Sequence, residues 1–512
     1  MEQKNPISTL LARHPLLIAV GSIAVWFLIS CIAFKRLDPY GDMLEAYAFT
    51  PHYELGTFKH PPLSGWVARM WFTLLPKTII SFHFLCVLCS LISALGVYAL
   101  AKEYLPKEKI AIAMLALTLT LPYTTLAFKF NANSILLPIW PWIVVAFKRS
   151  LRSDKWHYPV TLGALAALGM MGKYYTATLL VGIFLAAFCT AEGRRWLKTV
   201  RPWVALLAFA LAMTPHLLWM VHTGAPTITY VQKHHVSTID WKHIFIFYLS
   251  PYLYGALGLL IILYAARRGE RKAALAKIVS FNARDELFWI GNAPILITIV
   301  FALLKIKPTL HWAVPLLYIY PIYWCGTVNR LSGELKSRVI SSVPLIWLVF
   351  VLLSVVFAAA QAWRGSECYY RDDRAAATAI VQLHDSRFAG SPLAWAGGAW
   401  PDAAIIPFYT NSHIAAFPGA PDSSPVTRME PVRWLDRDGV LLCQQSDSGC
   451  AQTAANWLTQ HGMPLQKDLV CVHPVGFWFP LRINTCYAVY WYHPRRPQPT
   501  AAPLRDTVNP VI

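Results

Sequence analysis

Residues 15–34 read "PLLIAVGSIAVWFLISCIAF", twenty positions without a charged side chain. A helix rises 1.5 Å per residue, so this run matches the roughly 30 Å of a bilayer's hydrocarbon core. No small-residue cleavage site closes it, so it reads as a retained membrane span and not as a signal peptide. Working outward, comparable apolar runs lie near residues 79–100, 109–127, 158–171, 174–190, 202–221, 243–266, 287–304, 311–327 and 339–361, with a shorter one at 135–147. The expectation is a polytopic α-helical membrane protein of about eleven transmembrane helices. Composition agrees: of 512 residues, 56% are hydrophobic and only 14% charged, which excludes an ordinary soluble protein.

The formal charge of +19 would suggest nucleic acid in a soluble chain, but here the basic residues fall mostly in alternate loops. With a cytoplasmic amino terminus, the inner loops hold 20 Lys and Arg, among them Lys148, Arg149, Arg152, Arg194, Arg195 and Arg271. The outer loops before residue 362 hold 11 over a greater length. The positive-inside rule selects this orientation, and no nucleic-acid partner is expected.

An odd number of spans then places residues 362–512 outside, after a membrane domain of residues 1–361. The composition changes there: "SPLAWAGGAWPDAAIIPFYTNSHIAAFPG" (391–419) alternates short apolar runs with turn residues, as in a small α/β domain. Five of ten cysteines fall in this segment, Cys368, Cys443, Cys450, Cys471 and Cys486. Outside the cytoplasm thiols tend to pair, so one or two disulfides are expected, Cys443 with Cys450 and Cys471 with Cys486 being the simplest.

The same topology puts residues 35–78 outside, in a loop too long for a simple turn. It contains "DMLEAYAFTPHYELGTFKHPPLSGW" (42–66), in which Asp42 and Glu45 are followed by Lys59, His60, Pro61 and Pro62. Ionised carboxylates are costly near hydrocarbon unless paired or solvated, so a watery cavity is their natural setting. Solvated loop charges are the plain alternative. Two prolines at a helix entrance stiffen the backbone, which suits a site that must hold its groups in place.

The order of an Asp with a nearby Glu after the first span, an aromatic-rich stretch, "HPPL" and a Trp, then many spans and an outer carboxy-terminal domain, resembles bacterial members of glycosyltransferase family 39. These belong to the GT-C superfamily, with the protein O-mannosyltransferases and the aminoarabinose transferase that modifies lipid A of lipopolysaccharide. Further echoes are "KFNANSILLPIWPW" (129–142), "GMMGKYYTA" (169–177) and "KPTLHWAVP" (307–315). The resemblance implies a GT-C fold in the bacterial inner membrane with a periplasmic carboxy-terminal domain. It also implies transfer of a sugar from a polyprenyl-phosphate carrier to a lipid, glycan or protein acceptor on the periplasmic face. The first-loop Asp would be the general base. On that basis Asp42 and Glu45 are the catalytic candidates, and Lys59, His60, Lys173 and His311 are candidates for binding the donor phosphate. Two departures stand out. Met43 takes the place of the Glu that follows the Asp in many relatives, and Asn131 or Asn133 replaces an acid of the second outer loop. Whether a divalent metal ion takes part is left open.

Lys173, between two apolar stretches, either snorkels or serves an anion, and the phosphate reading is preferred. His222, His234, His235 and His243 crowd one outer loop without a carboxylate or cysteine at ligand spacing, so a solvated loop is the reading there. Cys86 and Cys89 form a CxxC inside a span, where packing is the expected role. The rival function is a transporter or flippase of a lipid-linked glycan, which should show repeats or broken helices with polar residues near the midplane.

Overall fold

The computed structural model describes residues 6–494 except 39, 51, 233–234, 365–369, 412, 428–432 and 474–484. Among these, six helices are long and apolar enough to cross a membrane: Leu16–Ala33, Ile79–Tyr104, Ser134–Arg152, Arg201–His222, Glu286–Leu303 and Gly333–Trp363. Two further pairs pass together but are bent, Thr176–Cys189 with Ala191–Leu197 by 105° and Trp241–Tyr254 with Ala256–Ala265 by 54°. The spans expected near 109–127, 158–171 and 311–327 are shorter or irregular. They form the helices Lys107–Thr118 and His157–Gly172, and a 3-10 segment Leu310–Tyr318 followed by Tyr320–Thr327. The count of about eleven is therefore not reproduced as full-length helices. Hydropathy cannot separate a span from irregular backbone buried inside protein, which is equally apolar at membrane depth. The segment around Tyr123, Phe128 and Phe130 is such a case, with all three side chains buried.

Some helix starts carry side-chain caps: Thr78 accepts the Ser81 amide at 3.1 Å, and Asp285 accepts that of Leu287 at 2.9 Å. At the expected inner ends, Lys148 meets Glu286 at 2.7 Å, and the Tyr104 hydroxyl donates to the same carboxylate at 2.8 Å. This ties three helices together through a buried charge that could not stand there unpaired.

The chain divides into two compact units, the second running from Arg374 to Cys471 and resuming at Thr485, and the first comprising the rest. The second unit is a small α/β domain. Its strands β1 (Trp395–Gly398), β2 (Ala415–Ala416), β3 (Gly439–Gln444), β4 (Lys467–Val472) and β5 (Thr485–Tyr492) form one sheet in the order β2-β1-β3-β5-β4. β1 is parallel to β2 and β3, whereas β3 and β5 are antiparallel. The helix Ser448–Gln460 covers a core built on Trp395, Phe417, Leu441 and Leu458. Both simple disulfides are formed: Cys443–Cys450 ties β3 to that helix, and Cys471–Cys486 ties β4 to β5. Cys368 lies outside the described residues.

Sidedness is testable directly. Tyr53, in the first loop, and Asp154, in a basic loop, are both exposed. Cysteines substituted there, in a background without Cys31 and Cys189, should label from opposite faces of sealed vesicles, residue 53 from outside. Labelling of both from one face would overturn the orientation.

Candidate active site

The loop that follows the first span is built to present Asp42. Asp38 sets the start of the short helix Asp42–Ala48, its carboxylate accepting the amides of Tyr40 at 2.9 Å, Asp42 at 3.3 Å and Met43 at 2.9 Å. Gly41 turns the chain in the left-handed region at φ 75°, where a side chain would be strained. Farther on, the carbonyl of Leu55 meets Nδ1 of His216 at 2.6 Å, and the Nε2 of that buried histidine lies 2.6 Å from the Tyr174 hydroxyl. A Cβ at Gly56 would lie 2.3 Å from the Trp219 ring, so only glycine lets the loop approach this helix so closely. Pro62 then leads into the helix Leu63–Leu74.

These elements enclose a cavity of about 740 Å³ lined by Asp42, Glu45, Lys59, His60, Lys173 and His311, every one of the sequence-derived candidates. Their pairing was not legible beforehand. Asp42 is joined not to Lys59 but to Lys129, whose Nζ lies 2.6 Å from Oδ2, and Asn131 donates to the same oxygen at 3.0 Å. Lys59 grips Glu45, at 2.8 Å from Oε1 and 2.9 Å from Oε2. With Met43 in the place of the usual acid, Glu45 takes a different part: it is the counter-ion of a cavity lysine. Lys173 caps the helix His157–Gly172 in extended conformation, donates to Asn133 Oδ1 and lies 5.0 Å from the Trp312 ring centre. His60 shapes the turn before the prolines, its amide donating to Thr57 Oγ1 at 2.9 Å, and its ring stands edge-on to Tyr230. His311 lies in the first turn of the 3-10 segment and lines the cavity, its side chain exposed.

Burial pushes the Asp42 carboxyl up, but the charge and hydrogen bond of Lys129, then the bonds of Asn131 and the charge of Lys59, outweigh it and hold it below the usual carboxylate range. Burial likewise pushes the Lys59 ammonium down, and Glu45 more than reverses this. Both groups are therefore charged at neutral pH.

Two residues of the candidate site escaped the sequence. Lys129 was counted only as an outer-loop charge, and nothing local links it to Asp42. Asp38 carried a signal, an Asp before Pro and a turn glycine, which favours an Asx-type start. The histidine-rich loop gathers no metal site: among the described residues, no three His, Cys, Asp or Glu stand where they could hold an ion. His234 lies outside the described residues. Cys86 and Cys89 are both buried, consistent with packing. The cavity's described carboxylates are Asp42 and Glu45, each held by a lysine, a donor set that does not fit a resident divalent ion with its oxygen-rich shell.

Comparison with protein families matches residues 59–219 to the dolichyl-phosphate-mannose-protein mannosyltransferases, a segment that holds Lys59, Lys129, Asn131 and Lys173 and begins after Asp42. A search of curated proteins finds no match. Among solved structures, the chain is similar to ArnT from Cupriavidus metallidurans in the apo state, with TM-score 0.60 and 12% identity over 94% of this chain and 98% of that one. The same protein bound to undecaprenyl phosphate gives TM-score 0.58 and 13% identity over 93% and 97%. At such identity the likeness establishes the fold, while the chemistry rests on the family match. Over nearly the whole chain the fold is that of ArnT, and within it the mannosyltransferase match over residues 59–219 supports a glycosyltransferase.

Proposed function

We propose that the enzyme transfers a sugar from a polyprenyl-phosphate carrier to a hydroxyl acceptor at the outer, periplasmic end of its helices, in the bacterial inner membrane. The observation that carries this reading is one cavity lined by two kinds of side chain. Asp42 stands with Lys59, Lys129 and Lys173 in its lining, together with the apolar Val181, Ile297, Phe301 and Ile306. A lipid-linked sugar phosphate needs such a pair: apolar contact for the first isoprene units and cations for the phosphate. Lysines outnumber carboxylates in the lining, which suits an anionic glycosyl phosphodiester. ArnT, the similar fold, has been solved with undecaprenyl phosphate bound, which supports this class of carrier here.

A glycosyl phosphate already carries a good leaving group. The protein has to take the proton from the acceptor hydroxyl and steady the departing phosphate. Asp42, ionised and half-exposed in the cavity, is placed for the first task. Lys59 and Lys173 are placed for the second, with His60 and His311 beside them. Attack on the face opposite the phosphate would invert the anomeric centre. The acceptor is a lipid such as lipid A, another glycan or a protein hydroxyl.

The transporter reading draws on the two bent helix pairs. Neither bend contributes to the cavity: one leads at Thr190 into a segment carrying Arg194 and Arg195, and the other, at Gly255, packs on Trp324. Purified full-length protein, given undecaprenyl-phosphate sugars and candidate acceptors in detergent, should form a glycosylated acceptor and release undecaprenyl phosphate in equal amounts. Movement of intact donor across vesicles without its consumption would favour the transporter instead.

A further inference from the structure

We propose that Lys129 is a shared cation that passes from Asp42 to the donor phosphate as the sugar is transferred, so that charge moving across the site is never left unpaired. The inference rests on the lipid-phosphate donor reading. It starts from which cation each acid holds. Lys59 is held by both oxygens of Glu45, whose charge does not change in the reaction. Lys173 leans on Asn133, a neutral partner, and is available to the donor from the outset. Lys129 is held by Asp42, the one acid whose charge the chemistry alters.

In the transfer step the acceptor oxygen bonds to the anomeric carbon while the bond from that carbon to the phosphate oxygen breaks, its electron pair leaving with the phosphate. The acceptor's proton goes to Asp42. Asp42 thus loses its negative charge as the phosphate, singly charged as a diester, gains a second one as a monoester. Among the described contacts both partners of Asp42 fall on Oδ2, so Oδ1 is the oxygen that takes the proton. The claim of Asp42 on Lys129 weakens as that of the phosphate grows. Coulomb attraction at contact distance in a partly desolvated site is strong enough for the ammonium to follow. Two features suit this motion. Lys129 sits on a long, flexible stem with a compact charge, and its Nζ lies 4.5 Å from the centre of the Tyr40 ring, a seat that attracts a cation without binding it in a fixed geometry. Asn131 stays on Asp42, steadying the carboxyl while its counter-ion leaves.

Binding of undecaprenyl phosphate, the leaving species, to full-length protein in detergent tests this without turnover. Asp42→Asn removes the competing charge and frees Lys129, so it should bind undecaprenyl phosphate about tenfold more tightly than the parent. The double variant Asp42→Asn, Lys129→Met should lose that gain, a coupling that a double-mutant cycle reads directly. If Asp42→Asn brings no gain, or the double variant keeps it, Lys129 is not the shared cation and the proposal falls. In turnover, Lys129→Met should lower kcat about tenfold with the donor KM within about threefold, whereas Lys129→Arg, which keeps a cation, should retain most of the rate. An unchanged kcat in Lys129→Met, or equal loss in both variants, would also overturn it. If the parent protein itself binds neither undecaprenyl phosphate nor its sugar ester, the donor reading fails first and this inference with it.

Discussion

Asp42→Asn is expected to slow sugar transfer by roughly a hundredfold or more at saturating donor, the lower end of what a positioned general base supplies. The amide matches the carboxylate in size and still accepts the hydrogen bond of Asn131 through its oxygen, but it cannot take a proton and no longer holds Lys129 by charge. The side chain is not part of the core, so the protein should fold and elute as the parent does. Donor binding should not weaken, because the substitution removes a negative charge from a site that receives an anion. The measurement is kcat and donor KM with purified protein. A near-native rate would move the base elsewhere, to Glu45 in the first instance, and would require Glu45 to release Lys59. Loss of donor binding in this variant would instead show that Asp42 holds the phosphate through a metal ion, contrary to the donor set described above.

Lys173→Ala should give the opposite kinetic signature. Its ammonium lies between Asn133 and the Trp312 ring at the cavity wall. A hydrogen bond to a charged group contributes about 1.5–3 kcal/mol, which corresponds to roughly 10- to 100-fold in donor affinity. The donor KM should rise by that factor, and much of the rate should return at saturating donor. Lys173→Arg should lie between the two, since a guanidinium keeps the charge but not the compact shape. A fall in kcat with unchanged KM would remove Lys173 from ground-state binding. Normal kinetics in Lys173→Ala would mark it as a snorkelling residue.

The candidates in the site were legible to different degrees, for physical reasons. Asp42, Glu45, Lys59 and His60 lie in one loop, and the cost of charge near hydrocarbon marks that loop as unusual in the sequence itself. Lys173 was conspicuous for the same reason, a lone cation between apolar runs. Lys129 was not, because an outer-loop lysine is ordinary and its partner lies in a distant part of the chain. The natural guess from spacing pairs Asp42 with Lys59. The fold pairs Lys59 with Glu45, which sits one helical turn beyond Asp42, leaving Asp42 to Lys129 and Asn131. Asn131 and Asn133 were visible as departures from an acidic position. Their use, one holding the carboxylate and the other a lysine, was not.

By itself the sequence determined the membrane class, the order of apolar segments and the sidedness expected from its basic loops, and it offered as simplest the two cysteine pairings that the fold forms. Each follows from a quantity read along the chain: transfer cost, charge or close spacing. Only the tertiary structure decided which apolar runs are full-length helices, because a buried irregular segment and a lipid-facing helix can be equally apolar. Only it decided which cation each carboxylate holds, since such pairs form between segments whose proximity is set by helix packing and not by distance in sequence.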